Sequence, residues 1–224
     1  MKMKDQWTKI PELLTAVSDH LLQIAIYDLH SGAEKCIVIL EEDPKDFFGS
    51  MEPVLNYTRK AKLPLPLIVN REFISYSLDS YPLEFINISS DYENIFCKED
   101  ILNNLSFENR DVRLQIEREI KSKWLLTRMA VLENIKDIKG VHRILRMSVE
   151  AIIPALKGFC YLKGVAIPKD LNQLFDLVNE LTEFDTNPIR QIYSISRNEI
   201  NKGLVYSYLD NLDSIAKIME TWQL

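Results

Sequence analysis

The fold is decided between residues 81 and 128 by two contrasting runs, Pro82-Leu-Glu-Phe-Ile-Asn-Ile-Ser89 and Arg113-Leu-Gln-Ile-Glu-Arg-Glu-Ile-Lys-Ser-Lys-Trp-Leu-Leu126. The first run is short, apolar and rich in isoleucine, which predicts a β-strand over residues 83–88. In the second run the apolar residues recur at steps of three and four, which is typical of an amphipathic helix. The chain therefore changes its architecture inside this stretch.

Upstream of residue 81, apolar runs alternate with turn residues and predict a small mixed sheet with flanking helices. Ser31-Gly32 supplies turn chemistry for a hairpin, and Asn70 can cap a helix through its side-chain oxygen. Pro53 predicts a break or a late start in its helix, because an interior proline removes one backbone hydrogen bond. The expected elements are a helix at 10–19, strands at 21–27 and 36–40, a helix at 44–62, a strand at 65–69, a helix at 71–78 and a short further element at 92–97.

Downstream of residue 109 the apolar spacing is helical throughout, and we expect no strand after residue 110. Pro154 predicts a kink within one of the helices. The chain is therefore predicted to have an α+β fold, with a small mixed β-sheet domain at residues 1–108 and an all-α helical bundle at 109–224. The expected helices cover residues 110–135, 141–162, 171–184, a short segment from 187, and 205–222.

Composition narrows the class of protein. The 224 residues carry a net charge of -6, which gives no broad attraction to nucleic acid or to an anionic membrane. The apolar runs are far shorter than the ~20 residues that span a bilayer. The three cysteines, Cys36, Cys97 and Cys160, have no zinc-ligand spacing and are expected to be buried free thiols. With no signal-peptide pattern at the start, we expect a cytoplasmic protein without membrane contact.

Two strings carry a resemblance to a known family. The order of elements resembles two-domain nucleotidyltransferases of the polymerase-beta-like superfamily, whose C-terminal domain is helical as in kanamycin nucleotidyltransferase. Asp79-Ser-Tyr-Pro-Leu-Glu-Phe-Ile-Asn87 and Arg113-Leu-Gln-Ile-Glu-Arg-Glu119 are similar to uncharacterised proteins assigned to that superfamily. The resemblance covers nearly the whole chain. It implies a nucleotide site in a cleft between sheet and bundle.

The resemblance also implies a metal chemistry that this sequence departs from. Active members hold two magnesium ions with paired aspartates on the second strand and a third carboxylate further on, and they cradle phosphates with a Gly-Ser turn. Here Ala33 and Lys35 stand where the paired aspartates are expected, and Ser31-Gly32 is all that is left of the turn. Glu84 is the candidate for the third carboxylate. A lysine repels a divalent cation, so we expect no metal in the usual two-metal site.

Three functional hypotheses follow. The first is a nucleotidyltransferase-like protein without catalysis that binds a nucleotide or acts as a regulatory module, with Ser31, Gly32, Glu84 and Arg113 as ligand-binding candidates. The second is an active magnesium-dependent transferase that uses Glu41, Glu42 and Glu84 as a rearranged acidic set. The third is a homodimer or partner-binding scaffold formed through the helical half.

The same residues also have ordinary structural interpretations. Ser31-Gly32 can be a simple hairpin turn, and Glu41-Glu42 can be the acidic start of a helix. Glu84 can pair with Arg113 or face solvent on an edge strand. The interleaved charges around Arg113 favour a salt-bridged helix face over a nucleic-acid groove.

Overall fold

The computed structural model describes residues 6–30, 33–182, 185–195 and 200–222. Contacts along the chain divide it into two compact units. The sheet unit comprises Met1–Tyr81 and Asn87–Ser106, and the helical unit comprises Pro82–Ile86 and Phe107–Leu224. This division differs from the predicted boundary after residue 108 in two respects. Pro82–Ile86 belongs to the helical unit, and the helical unit resumes at Phe107.

The sheet unit contains a four-stranded mixed sheet of order β3-β2-β1-β4. β1 pairs antiparallel with both β2 and β4, whereas β2 pairs parallel with β3. The strands predicted at 21–27, 36–40 and 65–69 are confirmed with small shifts, and the short element at 92–97 is also a strand. The strands are β1 (Leu21–Tyr27), β2 (Lys35–Leu40), β3 (Leu67–Asn70) and β4 (Tyr92–Cys97).

Before residue 81 the sheet unit contains the helices α1 (Ile10–Leu13), α2 (Phe47–Ala61) and α3 (Arg71–Ser77). The predicted cap of α3 is confirmed, because Asn70 Oδ1 accepts a hydrogen bond from Phe73 N at 2.7 Å. The break or late start predicted from Pro53 is wrong, because the helix α2 begins at Phe47, six residues before Pro53, and continues through it. The carbonyl that Pro53 cannot satisfy belongs to exposed Gly49, where water can replace the missing donor.

The strand predicted over residues 83–88 is wrong, because Pro82–Ser90 forms a helix, α4. Pro82 occupies the first helical turn, where its missing N–H is no loss, and Glu84 lies in the same turn at the positive end of the helix dipole. Leu83 and Ile86, three residues apart, are both buried in the core of the helical unit. A short apolar run cannot be assigned to strand or helix by periodicity alone.

The helical unit is a bundle, and the described residues after 110 contain no strand. Every helix of the bundle contributes buried residues to one apolar core. The helix in which a kink at Pro154 is predicted continues through that residue. The overall α+β prediction, with an N-terminal sheet and a helical C-terminal part, is confirmed. The helices are α5 (Asn109–Glu133), α6 (Ile138–Leu162), α7 (Leu171–Leu181), α8 (Asn187–Ser194) and α9 (Lys202–Thr221).

None of the helices in the described ranges combines the length and the apolar character that a membrane crossing requires.

Candidate functional site

The three glutamates of the rearranged acidic set each have a different partner. The guanidinium of Arg71 donates to Glu41 from Nε at 3.0 Å, and it also binds Glu99. Glu42 lies 3.5 Å from His20 Nδ1. Glu84 Oε2, on an exposed side chain of the helical unit, accepts from Gln115 Nε2 at 2.6 Å. Within the described ranges, no group of three or more His, Cys, Asp or Glu side chains could hold a metal ion.

Arg113 caps the C-terminal end of α9 and does not pair with Glu84. Its Nη2 donates to Met219 O at 2.7 Å and its Nε donates to Trp222 O at 3.3 Å, both at the C-terminal end of α9. Carbonyls at a helix C-terminus lack intrahelical partners, and a cation there is favourable. Glu117 lies 3.5 Å from the same guanidinium as an i,i+4 partner. The contacts of Arg113 are therefore those of a structural residue.

Ser31 and Gly32, the other two ligand-binding candidates, lie outside the described residues. A polar group lies at the end of the sheet where β1 ends and β4 begins, and we call it the hairpin-end cluster: Asp28, His30, Lys35, Asn87 and Asp91. Lys35 Nζ donates to Asp28 Oδ2 at 2.8 Å, and Asn87 Nδ2 donates to Asp28 Oδ1 at 3.2 Å. His30 Nδ1 lies 2.8 Å from Asp91 Oδ2, and the Asp91 side chain is buried. Each carboxylate of the cluster therefore has a basic partner.

Sequence reasoning missed the carboxylates of the hairpin-end cluster. Asp28 directly follows β1 and Asp91 directly precedes β4, so the pairing of Tyr27 with Tyr92 brings both to the same end of the sheet. The sequence does show two aspartates next to predicted strand ends. Their proximity could not be predicted, because it depends on the antiparallel pairing of two strands that are far apart in the chain.

A second polar network joins Asp100 to β1 and β4. Asp100 Oδ1 accepts from Gln23 Nε2 at 2.8 Å and from Tyr92 Oη at 2.9 Å, and Oδ2 accepts from Asn94 Nδ2 at 3.1 Å. Burial on its own raises the pKa of this carboxyl, but the hydrogen bonds, with that from Tyr92 first among them, outweigh burial and lower the pKa. The Asp100 carboxylate is thus held ionised by donors within the fold.

The cysteines offer no activated nucleophile. Burial raises the pKa of Cys36 to about 12 and that of Cys160 to about 11, so both thiols stay protonated at neutral pH. Cys97 is exposed, contrary to the expectation of three buried thiols, because it is the last residue of the edge strand β4. Its pKa is also raised, first by partial burial and then by the Asp100 charge.

The helical unit contains a cavity of about 500 Å³ between the C-terminal end of α5, the start of α6 and the start of α9. The side chains of Val131, Val141 and Val205 are buried and form its floor. The exposed large side chains at its mouth are Leu132, Ile135, Ile138 and Tyr206. The cavity is therefore open to solvent and mostly aliphatic.

The charged and amide side chains that line this cavity are Arg128, Asn201 and Lys202, and Tyr206 adds a phenol hydroxyl. No aspartate or glutamate of the described chain lines it. Asn201 caps α9, since its Oδ1 accepts from Leu204 N at 3.0 Å. The lining thus combines an apolar interior with two cations and an amide. No local sequence pattern predicted this cavity, because its walls come from the ends of three helices.

Comparisons of the chain with protein-family models, with curated proteins and with solved structures found no match.

Proposed function

We propose that this protein is a ligand-binding module that does not catalyse metal-dependent nucleotidyl transfer, and that the cavity of the helical unit is its binding site. The observation that carries the proposal is the cavity itself. Its volume of about 500 Å³ falls within the roughly 300–1,000 Å³ that is usual for small-molecule sites. Its apolar walls and few polar side chains also match the usual composition of such sites.

The partners of the carboxylates support the absence of transfer chemistry. A two-metal site needs carboxylate oxygens that are available to the metal ions. Here Asp28 binds Lys35, Asp91 binds His30, and Glu41 binds Arg71. A metal would have to displace these basic partners, and the Lys35 ammonium would then repel it. The resemblance to nucleotidyltransferases stays a prediction, and within it this protein would keep the scaffold and have lost the metal ligands.

Self-association through the helical unit also stays a prediction. Leu125, Met129 and Leu132 lie on α5 at helical spacing, and each is at least half exposed. Sedimentation velocity on the full chain measures the oligomeric state directly. A dimer that a charged substitution such as Met129→Lys disrupts would support the prediction.

A ligand panel read by thermal shift tests the proposed function. Ligand binding to the native state raises apparent stability by about 2.7 kcal/mol at a hundredfold excess over the dissociation constant. We expect Val205→Phe, which fills the cavity from its floor, to abolish the shifts that ligands cause in the wild type. Leu67→Phe, a similar enlargement on β3 of the sheet unit, is the matched control.

Nucleotides with and without magnesium belong in the same panel. We expect no nucleotidyl product. A product that forms with magnesium and disappears in Asp28→Asn or Glu84→Gln would refute the proposal.

A further inference from the structure

We propose that the cavity binds an aliphatic carboxylic acid, with the hydrocarbon chain inside and the carboxylate at Arg128, Asn201 and Lys202. This inference rests on the proposed function, because it assigns a chemical class to the ligand of the same cavity. It follows from the charge, the helix ends and the wall composition of the site.

The charge of the lining is positive. Arg128 and Lys202 both line the cavity, and neither forms an ion pair with any residue in the described ranges. The Arg128 guanidinium lies 5.3 Å from the centroid of the Trp124 ring, a contact that leaves its N–H donors available. Glu133 is the acid nearest to Arg128 in the sequence and does not line the cavity, whereas Glu199, the acid nearest to Lys202, lies outside the described residues. Among the described residues of the lining, an anionic group at this position would therefore meet two cations and no carboxylate.

The start of α9 adds to the positive potential. Asn201 and Lys202 stand at its first turn, which contains no acidic residue. A lysine at the positive end of a helix dipole is unfavourable, and a negative group there is favourable. The Asn201 Oδ1 is used as the helix cap, which leaves its Nδ2 as a hydrogen-bond donor for a ligand oxygen.

The walls select for an aliphatic body. The buried floor is valine, and the mouth is leucine and isoleucine apart from Tyr206. A nucleotide would bring a polar base edge and several phosphate charges. The uncharged polar groups among the described lining residues are the Asn201 amide and the Tyr206 hydroxyl, which are too few to pair the donors and acceptors of a base. A single carboxylate on a hydrocarbon chain matches the lining better.

Calorimetry on the full chain tests the inference with three probes of equal chain length, used below their micelle concentrations: decanoate, decanol and decyltrimethylammonium. We expect decanoate to bind most tightly and the ammonium compound not to bind. The double variant Arg128→Gln/Lys202→Gln should weaken decanoate by about tenfold or more, because charge-assisted hydrogen bonds are lost. It should leave decanol unchanged. Arg59→Gln/Lys60→Gln, two exposed cations of α2, is the matched control and should change neither probe.

The outcomes separate this inference from the proposed function. If decanol and decanoate bind equally and Val205→Phe abolishes both, the cavity is a ligand site but the carboxylate preference is overturned. If Val205→Phe leaves decanoate binding unchanged, the acid binds elsewhere and the inference is overturned. If no probe binds and the ligand panel gives no shift that is sensitive to Val205→Phe, both proposals fail.

Discussion

Gly158 lies where Leu83 and Ile116 pack closely against α6 in the core of the helical unit. A Cβ atom at this position would lie 2.5 Å from Leu83 Cδ2 and 3.0 Å from Ile116 Cδ1. Leu83 and Ile116 are buried, so neither side chain has free space into which to move. Glycine is therefore needed here for space, whereas most helix positions favour alanine.

We expect Gly158→Ala to lower the free energy of unfolding by about 1–3 kcal/mol, as overpacked cores do, despite the better helix propensity of alanine. Urea denaturation followed by circular dichroism measures the change. Gly203→Ala, in the exposed first turn of α9, is the control and should change stability by less. Equal effects of the two substitutions would contradict the close-approach argument.

Gln115 is a buried polar residue whose side chain caps the N-terminus of α4. Its Oε1 accepts from Leu83 N at 2.8 Å, and its Nε2 donates to Glu84 Oε2 at 2.6 Å. The first N–H groups of a helix have no intrahelical acceptor, so Gln115 satisfies one of them at the start of α4.

We expect Gln115→Leu to destabilise the protein by about 1–3 kcal/mol, because it leaves a buried N–H without an acceptor. Glu84→Gln should have a small effect, since Glu84 is exposed and a glutamine oxygen can still accept from Gln115. Chemical denaturation of both variants checks this order. A larger loss in Glu84→Gln would show that the carboxylate, and not the buried amide, stabilises the start of α4.

At the scale of elements, the sequence predicted what local patterns determine. The strands β1 and β2, the cap at Asn70 and the helices of the bundle follow from apolar periodicity and turn residues. The strand predicted at 83–88 failed because Leu83 and Ile86 are buried by tertiary packing, which a short run does not reveal. The hairpin-end cluster and the cavity stayed hidden for a related reason. Each joins residues that become neighbours only once the strand pairing and the helix packing are known.

Asp100 ties β1, β4 and the segment after β4 into one polar network. Its folded-state pKa is lower than its unfolded value of roughly 3.9. The carboxylate therefore contributes stability that is fully present above the unfolded pKa and is lost as the pH falls through the folded pKa.

We expect Asp100→Asn to be less stable than the wild type at pH 7, and the difference between them to shrink as the pH falls below about 4. The urea midpoint measured from pH 7 to pH 2 gives this curve. Asp79→Asn is the control, because it makes the same change at an exposed carboxylate that accepts a bond from its sequence neighbour Ser80. A difference between Asp100→Asn and wild type that stays constant with pH would contradict the assignment.

In the whole molecule, each of the two units is built from two separate segments of the chain. Pro82–Ile86 belongs to the helical unit, and the chain returns to the sheet unit from Asn87 to Ser106 before the bundle begins. A cut at the predicted boundary after residue 108 would separate Leu83 and Ile86 from the core in which they are buried. The apolar residues of the sheet unit form a separate cluster that includes Ile24.

This organisation predicts that the two cores respond independently to mutation. Leu83→Ala should cost about 2–5 kcal/mol, as large-to-small core substitutions do, and should raise amide hydrogen exchange in α5 and α6. Exchange in β1 and β2 should stay unchanged, although Leu83 precedes part of the sheet unit in sequence. Ile24→Ala is the reciprocal variant and should raise exchange in β1 and β2 while sparing α5 and α6. If either substitution raises exchange equally in both units, the chain opens as one cooperative body, and the assignment of Pro82–Ile86 to a separate helical unit is wrong.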